Sequence, residues 1–158
     1  MSQYFDLMEQ VDTLKANTQE FVLWPRQWRT YSDSHVWSEV KLRRPDANQI
    51  PNRSGIYTLI LEPGIAGHHS CAYLMYVGQA TSLRARFRDY LGKERNQTTG
   101  RPRMVYFLRK YSRFIWFCFT EIDALQLDST EKKLYSAYIP PLNRDYEGEL
   151  GRVVGAFA

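Results

Sequence analysis

Two tyrosines, an arginine, a glutamate and an asparagine are the residues of this 158-residue chain best suited to chemistry. Tyr57 lies in "SGIYTLI" and Tyr76 in "LMYVGQA", each in an apolar run with a glycine close by. A phenol ionises near pH ~10, so it is a poor base at neutral pH unless a cation or metal favours the phenolate. Arg86 follows Tyr76 by ten residues. A guanidinium donates two parallel hydrogen bonds to phosphate oxygens and stays charged at every working pH. Glu131 offers hard oxygen atoms, and magnesium keeps enough of its own waters to need few protein ligands. Asn143 stands twelve residues further on, in "PPLN". Taken singly, each has a plainer reading. The tyrosines suit half-buried strands, the arginine a solvated helix, the glutamate a helix start and the asparagine a turn after Pro-Pro.

The charge pattern points to a phosphate-bearing partner. The formal net charge is +4. Residues 84–113 hold ten Lys or Arg against Asp89 and Glu94, whereas residues 1–50 carry a net −1, residues 51–83 are neutral and residues 114–158 carry −3. So concentrated a basic stretch attracts a polyanion, a solvated helix face being the alternative. Arg84, Arg88, Arg101 and Arg103 are the candidates for backbone contact.

The elements that would position these residues follow from local pattern. Residues 4–23 read as an amphipathic helix with Leu7, Val11 and Leu14 on one stripe, broken at "WPRQW". "HVWSEVKL" alternates weakly, as a short strand would, and "RRPDANQIPNRS" is a loop and a plausible internal boundary near residue 50. "GIYTLIL" and "CAYLMYVG" read as paired strands around the turn-rich "EPGIAGHHS". Ser82 is placed to cap a helix carrying Leu83, Phe87 and Leu91 on one face. Arg86 and Tyr90 share a face, and Arg84 and Arg88 lie off it. "MVYFLRKY" reads as a helix and "RFIWFCFTEI" as a central strand. Ser129 or Thr130 is expected to cap a last helix beginning at Glu131 and ending before "PPLN". The order from residue 54 is β-β-α-α-β-α. It predicts an α+β domain over residues 51–158 with a small three-stranded antiparallel sheet flanked by helices, and a mainly helical extension over residues 1–50 packed on the same domain.

Gly55-Ile56-Tyr57 and Tyr76-Val77-Gly78 resemble the two halves of the signature of the GIY-YIG nuclease superfamily. The resemblance extends from about residue 52 to 145: "YVGQATSLRARFRDYL" looks like the segment that carries the family's helical arginine, and Glu131 and Asn143 keep the spacing of its metal ligand and asparagine. It implies a metal-dependent endonuclease that hydrolyses DNA phosphodiester bonds with Mg²⁺ or Mn²⁺. In that reading Tyr76 takes a proton from the attacking water, Tyr57 is hydrogen-bonded nearby, Arg86 stabilises the charged transition state, Glu131 holds the cation, and Asn143 holds either the Glu131 region or a tyrosine in place. Tyr90 is a further site candidate. Gln79 stands where many relatives have lysine, so help for Tyr76 would have to come from the metal or from a neighbour such as Arg84. Gln79 remains a candidate for contact with nucleic acid. Tyr76 follows Tyr57 by nineteen positions, more than in the family's repair nuclease, so the loop with His68 and His69 reads as an insertion, closer to substrate contact or plain exposure than to a metal site.

Cys71 and Cys118 form no metal or redox spacing and read as reduced thiols, Cys118 in the core. "MSQYFDLMEQVD" has acids where a signal peptide would be basic and then apolar, and no apolar run approaches the roughly 18–20 residues of a membrane span. The expectation is a cytoplasmic protein with no membrane partner. Restriction-type cutting, structure-specific cutting, a homodimer and a partner protein all stay open. The alternatives are a binding module with weakened catalysis, favoured only by Gln79, and a nuclease acting on RNA.

Overall fold

The computed structural model describes residues 29, 34–62, 72–95, 102–143, 146 and 151–152. In chain order it contains β1 (Ser38–Lys41), a 3₁₀ segment (Arg44–Gln49), β2 (Gly55–Leu61), β3 (Tyr73–Ala80), α1 (Leu83–Arg95), α2 (Pro102–Lys110), β4 (Ile115–Glu121) and α3 (Leu127–Tyr138). The expected helix over residues 4–23, most of the loop bearing His68 and His69, Cys71 and Arg101 lie outside the described residues.

The sheet has four strands, in the order β1-β4-β2-β3, and every pairing is antiparallel. This corrects the expected three. The fourth is β1, which pairs Ser38 to Lys41 with Phe119 to Trp116 of β4. Only Val40 of its four residues is buried, so its alternation is too brief to be decisive in sequence. Leu42 and Ile50 are buried as well, so residues 38–50 complete the core that residues 51 onward begin.

Register decides which side chains meet. Tyr57 lies opposite Gly78 and Leu59 opposite Tyr76; pairing then shifts between Leu59 and Ile60, so that Ile60 faces Leu74. Directly paired residues share a face. Tyr57, Leu59, Tyr76 and Gly78 therefore share one face of the sheet, and Ile56 and Val77 look out from the other. The first face packs with Phe87, Tyr90, Phe107 and Leu108 from α1 and α2, around Phe117 of β4. Ile56 and Val77 pack with Leu127 and Leu134 of α3.

Two helix starts show how local chemistry set these positions. Ser82 caps α1 as expected: its Oγ accepts from the Ala85 N–H at 3.1 Å. Leu83, Phe87 and Leu91 are buried on the sheet-facing side. The last helix begins four residues earlier than expected. Asp123 accepts from the Leu125 N–H and opens a 3₁₀ turn that runs into Leu127, while the Ser129 hydroxyl donates to the Gln126 carbonyl instead of capping. Glu131 is thus in the second turn, where the helix-start dipole has little hold on it.

Candidate active site

Tyr57 is almost fully buried, at 2% exposure. Its ring stacks on Phe117, with centroids 5.0 Å apart, and meets Tyr90 edge-on at 5.8 Å. Its hydroxyl hydrogen-bonds that of Tyr90 at 2.8 Å. Tyr76, half-buried, lies 6.1 Å from Tyr57 between centroids. Burial first, then Tyr90 and Tyr76, drives the Tyr57 pKa well above that of an ordinary phenol, and the opposing pull of Arg86 is the smaller effect. Tyr57 is therefore a neutral hydrogen-bonding phenol at any working pH. Tyr90, a secondary candidate in the sequence, is its direct partner.

The glycines of the two strands have a steric reason. A side chain on Gly78 would run into the Tyr57 hydroxyl and come within 2.6 Å of the Tyr57 ring and 2.7 Å of the Tyr76 ring. A side chain on Gly55 would strike the Thr120 carbonyl of β4 and reach 2.7 Å from Leu83. One glycine lets the two phenols cross the same spot, and the other lets α1 begin close against the sheet.

Arg86 stands one turn before Tyr90 on α1, near enough for its charge to act on Tyr57. Its Nε is buried without a hydrogen-bond partner. Its Nη1 is 4.0 Å from Asp89, the outer limit of an ion pair, and its side chain is 38% exposed. A buried, unsatisfied N–H costs about 1–3 kcal/mol, more when charged. An anion arriving from solvent would supply the missing acceptor.

The other basic candidates divide. Arg84 is held inward, its Nε donating to the Ile50 carbonyl at 2.7 Å, so it ties α1 to the segment before β2. Arg88 and Arg103 are exposed on α1 and α2. Gln79 pairs with Ile56 and so belongs to the sheet face opposite the phenols.

Asn143 grips the outer edge of β3. Its Oδ1 accepts from the Val77 N–H at 2.9 Å and its Nδ2 donates to the Val77 carbonyl at 2.8 Å. Leu142 N–H adds a bond to the Met75 carbonyl at 3.0 Å. The side-chain amide acts as one residue of an extra strand, at the peptide beside Tyr76. Ile139 turns the chain there in a left-handed conformation (φ 46°, ψ 59°), which costs a β-branched residue about 1–2 kcal/mol.

Glu131 is half-buried on α3, on the side of the helix that carries Leu127 and Leu134. Among the described residues no three His, Cys, Asp or Glu gather as a metal-binding group. A single carboxylate is too poor a donor set for a zinc or calcium cage but suits a hydrated magnesium ion that completes its shell with water and substrate phosphate.

No protein-family model matches the sequence, and no curated protein matches it. Among solved structures the chain is similar to the GIY-YIG N-terminal endonuclease domain of UvrC from Thermotoga maritima. With magnesium bound, that domain is 21% identical at a TM-score of 0.44, over 63% of this chain and 93% of that one. A point mutant of the same domain with an asparagine changed to alanine, bound to its catalytic divalent cation, is 20% identical at a TM-score of 0.43, over 62% and 90%. At such identity and TM-score the likeness carries no argument about this chain, whose chemistry has to come from its own side chains.

Proposed function

We propose that the chain is a metal-dependent endonuclease that hydrolyses phosphodiester bonds in DNA. The observation that carries this is Arg86, a half-exposed guanidinium with an unsatisfied buried N–H beside a cluster of three tyrosines. A phosphate placed there accepts the missing hydrogen bond, and the same contact strengthens as charge builds on phosphorus in the transition state. Tyr57 stays protonated and fixes the cluster through Tyr90. That leaves Tyr76, half-buried on the same face, to accept the proton of the attacking water. Arg86, whose charge acts on the neighbouring Tyr57, would be the cation that helps it, since Arg84 is occupied at Ile50 and Gln79 lies on the other face. Asn143 positions Tyr76 by pinning the Val77 peptide. Glu131, on the helix that packs against the opposite face of the sheet from the phenols, would hold a magnesium or manganese ion. Such an ion, when bound, neutralises the leaving oxygen and lowers the pKa of water.

Supercoiled plasmid incubated with Mg²⁺ or with EDTA tests the reading. Nicking or linearisation is expected with Mg²⁺ only, and its loss in Arg86→Ala and Glu131→Ala while DNA binding survives. Discrete product bands would mark sequence recognition; cutting of forked DNA alone would mark structure recognition. Cutting by either mutant at the wild-type rate sinks the mechanism. Cutting of RNA but not DNA would reassign the substrate.

A further inference from the structure

Away from the tyrosines the chain forms an open cleft of about 630 Å³ between the end of β1, the turn after it, the later part of α1 and the turn entering β4. Among the described residues that line it, four are cations, Lys41, Arg43, Arg44 and Arg113, and the others are Ser112, Leu42 and Leu91, with no carboxylate. Three of the cations come from the first 50 residues, whose net charge is negative, so the basic stretch along the sequence does not reveal them. Two are held in place. Arg43 Nε pairs with the buried Asp46 at 2.6 Å, and Gln49 donates to the other Asp46 oxygen at 3.2 Å. The Lys41 ammonium lies 5.3 Å over the Trp116 ring. Arg44 and Arg113 have no side-chain ion pair or hydrogen bond among the described residues and are exposed. With Arg43 offset by Asp46, the three other cations, Lys41, Arg44 and Arg113, repel each other unless an anion joins them. The room exceeds what one phosphate needs, and the leucines offer apolar contact between charges.

We propose that this cleft binds the phosphodiester backbone of the nucleic acid beside the bond being cut. The proposal rests on the nuclease reading for the position of that bond, but not for the binding itself. Leu91 lies five residues beyond Arg86 on α1, about 7.5 Å of helix rise. A duplex strand advances 3.4 Å per nucleotide, so about two to three nucleotides would bridge the two positions. The cleft then fixes the strand while Arg86 engages the scissile phosphate.

The double substitution Arg44→Ala, Arg113→Ala tests this, since it leaves the Arg43–Asp46 pair and the core intact. Binding of a fluorescent duplex is followed by anisotropy in EDTA over a salt series, with circular dichroism to confirm the fold. We expect Kd to rise about tenfold near physiological salt, and the slope of log K against log salt to flatten by about 1.8, the share of two phosphate contacts. In cutting assays KM should rise with kcat kept. An unchanged Kd and slope overturns the proposal, whether or not the protein cuts. A flattened slope in a protein that never cuts keeps the cleft and removes the nuclease reading. Displacement of the duplex from the wild type by polyglutamate, with the salt slope of the variant unchanged, would assign the cleft to an acidic peptide and overturn it.

Discussion

Gly78 is the residue on which the tyrosine cluster turns. Its missing side chain is the space in which Tyr57 and Tyr76 approach each other, and Tyr57 has nowhere to retreat because Phe117 and Tyr90 hold its other sides. Gly78→Ala should therefore destabilise by about 1–3 kcal/mol, the range for overpacking a core, measured by urea unfolding, with cutting lost below the unfolding midpoint as well. The two phenols should separate in effect. Tyr57→Phe keeps the stacking but removes the hydroxyl–hydroxyl bond to Tyr90, at about 0.5–1.5 kcal/mol of stability. Tyr76→Phe, half-buried, should change stability by less than about 1 kcal/mol and lower kcat by about 10²-fold or more if it takes the proton. Equal kinetic losses in both would argue that they act as one packing unit.

At the scale of elements, the edge of β3 is finished by an asparagine instead of a strand. The left-handed Ile139 turns the chain back, Leu142 bonds Met75, and Asn143 closes both hydrogen bonds of Val77. Asn143→Ala removes both, and we expect faster hydrogen exchange at the Val77 amide, about 1–3 kcal/mol of lost stability and a fall in kcat larger than any change in KM. Asn143→Asp should recover only part, because a carboxylate accepts from the Val77 N–H but faces the Val77 carbonyl with another acceptor. Equal behaviour of the Ala and Asp variants with normal exchange at Val77 would leave the asparagine a mere turn residue.

For the whole molecule, buried acids in the sheet and beside it set an alkaline limit. Cys118, in β4, is pushed up from about 9 to about 12, by burial first and then by Glu39; Tyr57 and Tyr146 also rise, mainly by burial. Each is raised in the folded state, so its stabilisation is complete below the unfolded pKa and is lost as pH rises towards the folded one. For Cys118 that window runs from pH 9 to about 12, at about 1.4 kcal/mol per pH unit for one proton. Unfolding midpoints at pH 8 and pH 10.5 should differ more in the wild type than in Cys118→Ala. In a Cys71→Ser background, the Cys118 thiol should resist a disulfide reagent at pH 8 until the protein unfolds.

The strands that bear Tyr57 and Tyr76, the Ser82 cap, the buried stripe of α1 and the spacing of Arg86, Glu131 and Asn143 were all legible in the sequence, because each depends on neighbours within a few residues or on a recognisable pattern. Their relations were not. The fourth strand, the start of α3 and the inward turn of Arg84 depend on partners far along the chain: β1 on β4, Asp123 on a turn that competes with Ser129, Arg84 on the Ile50 carbonyl. The steric need for Gly78 and the gathering of Lys41, Arg43 and Arg44 with Arg113 have no signature in one dimension. Local pattern determined which segments become strands and helices and which residues are candidates for chemistry. Tertiary packing alone decided which phenol is buried and neutral, which arginine keeps an unsatisfied donor and where the cations converge, because burial and electrostatic shift arise only when distant segments exclude water from one another.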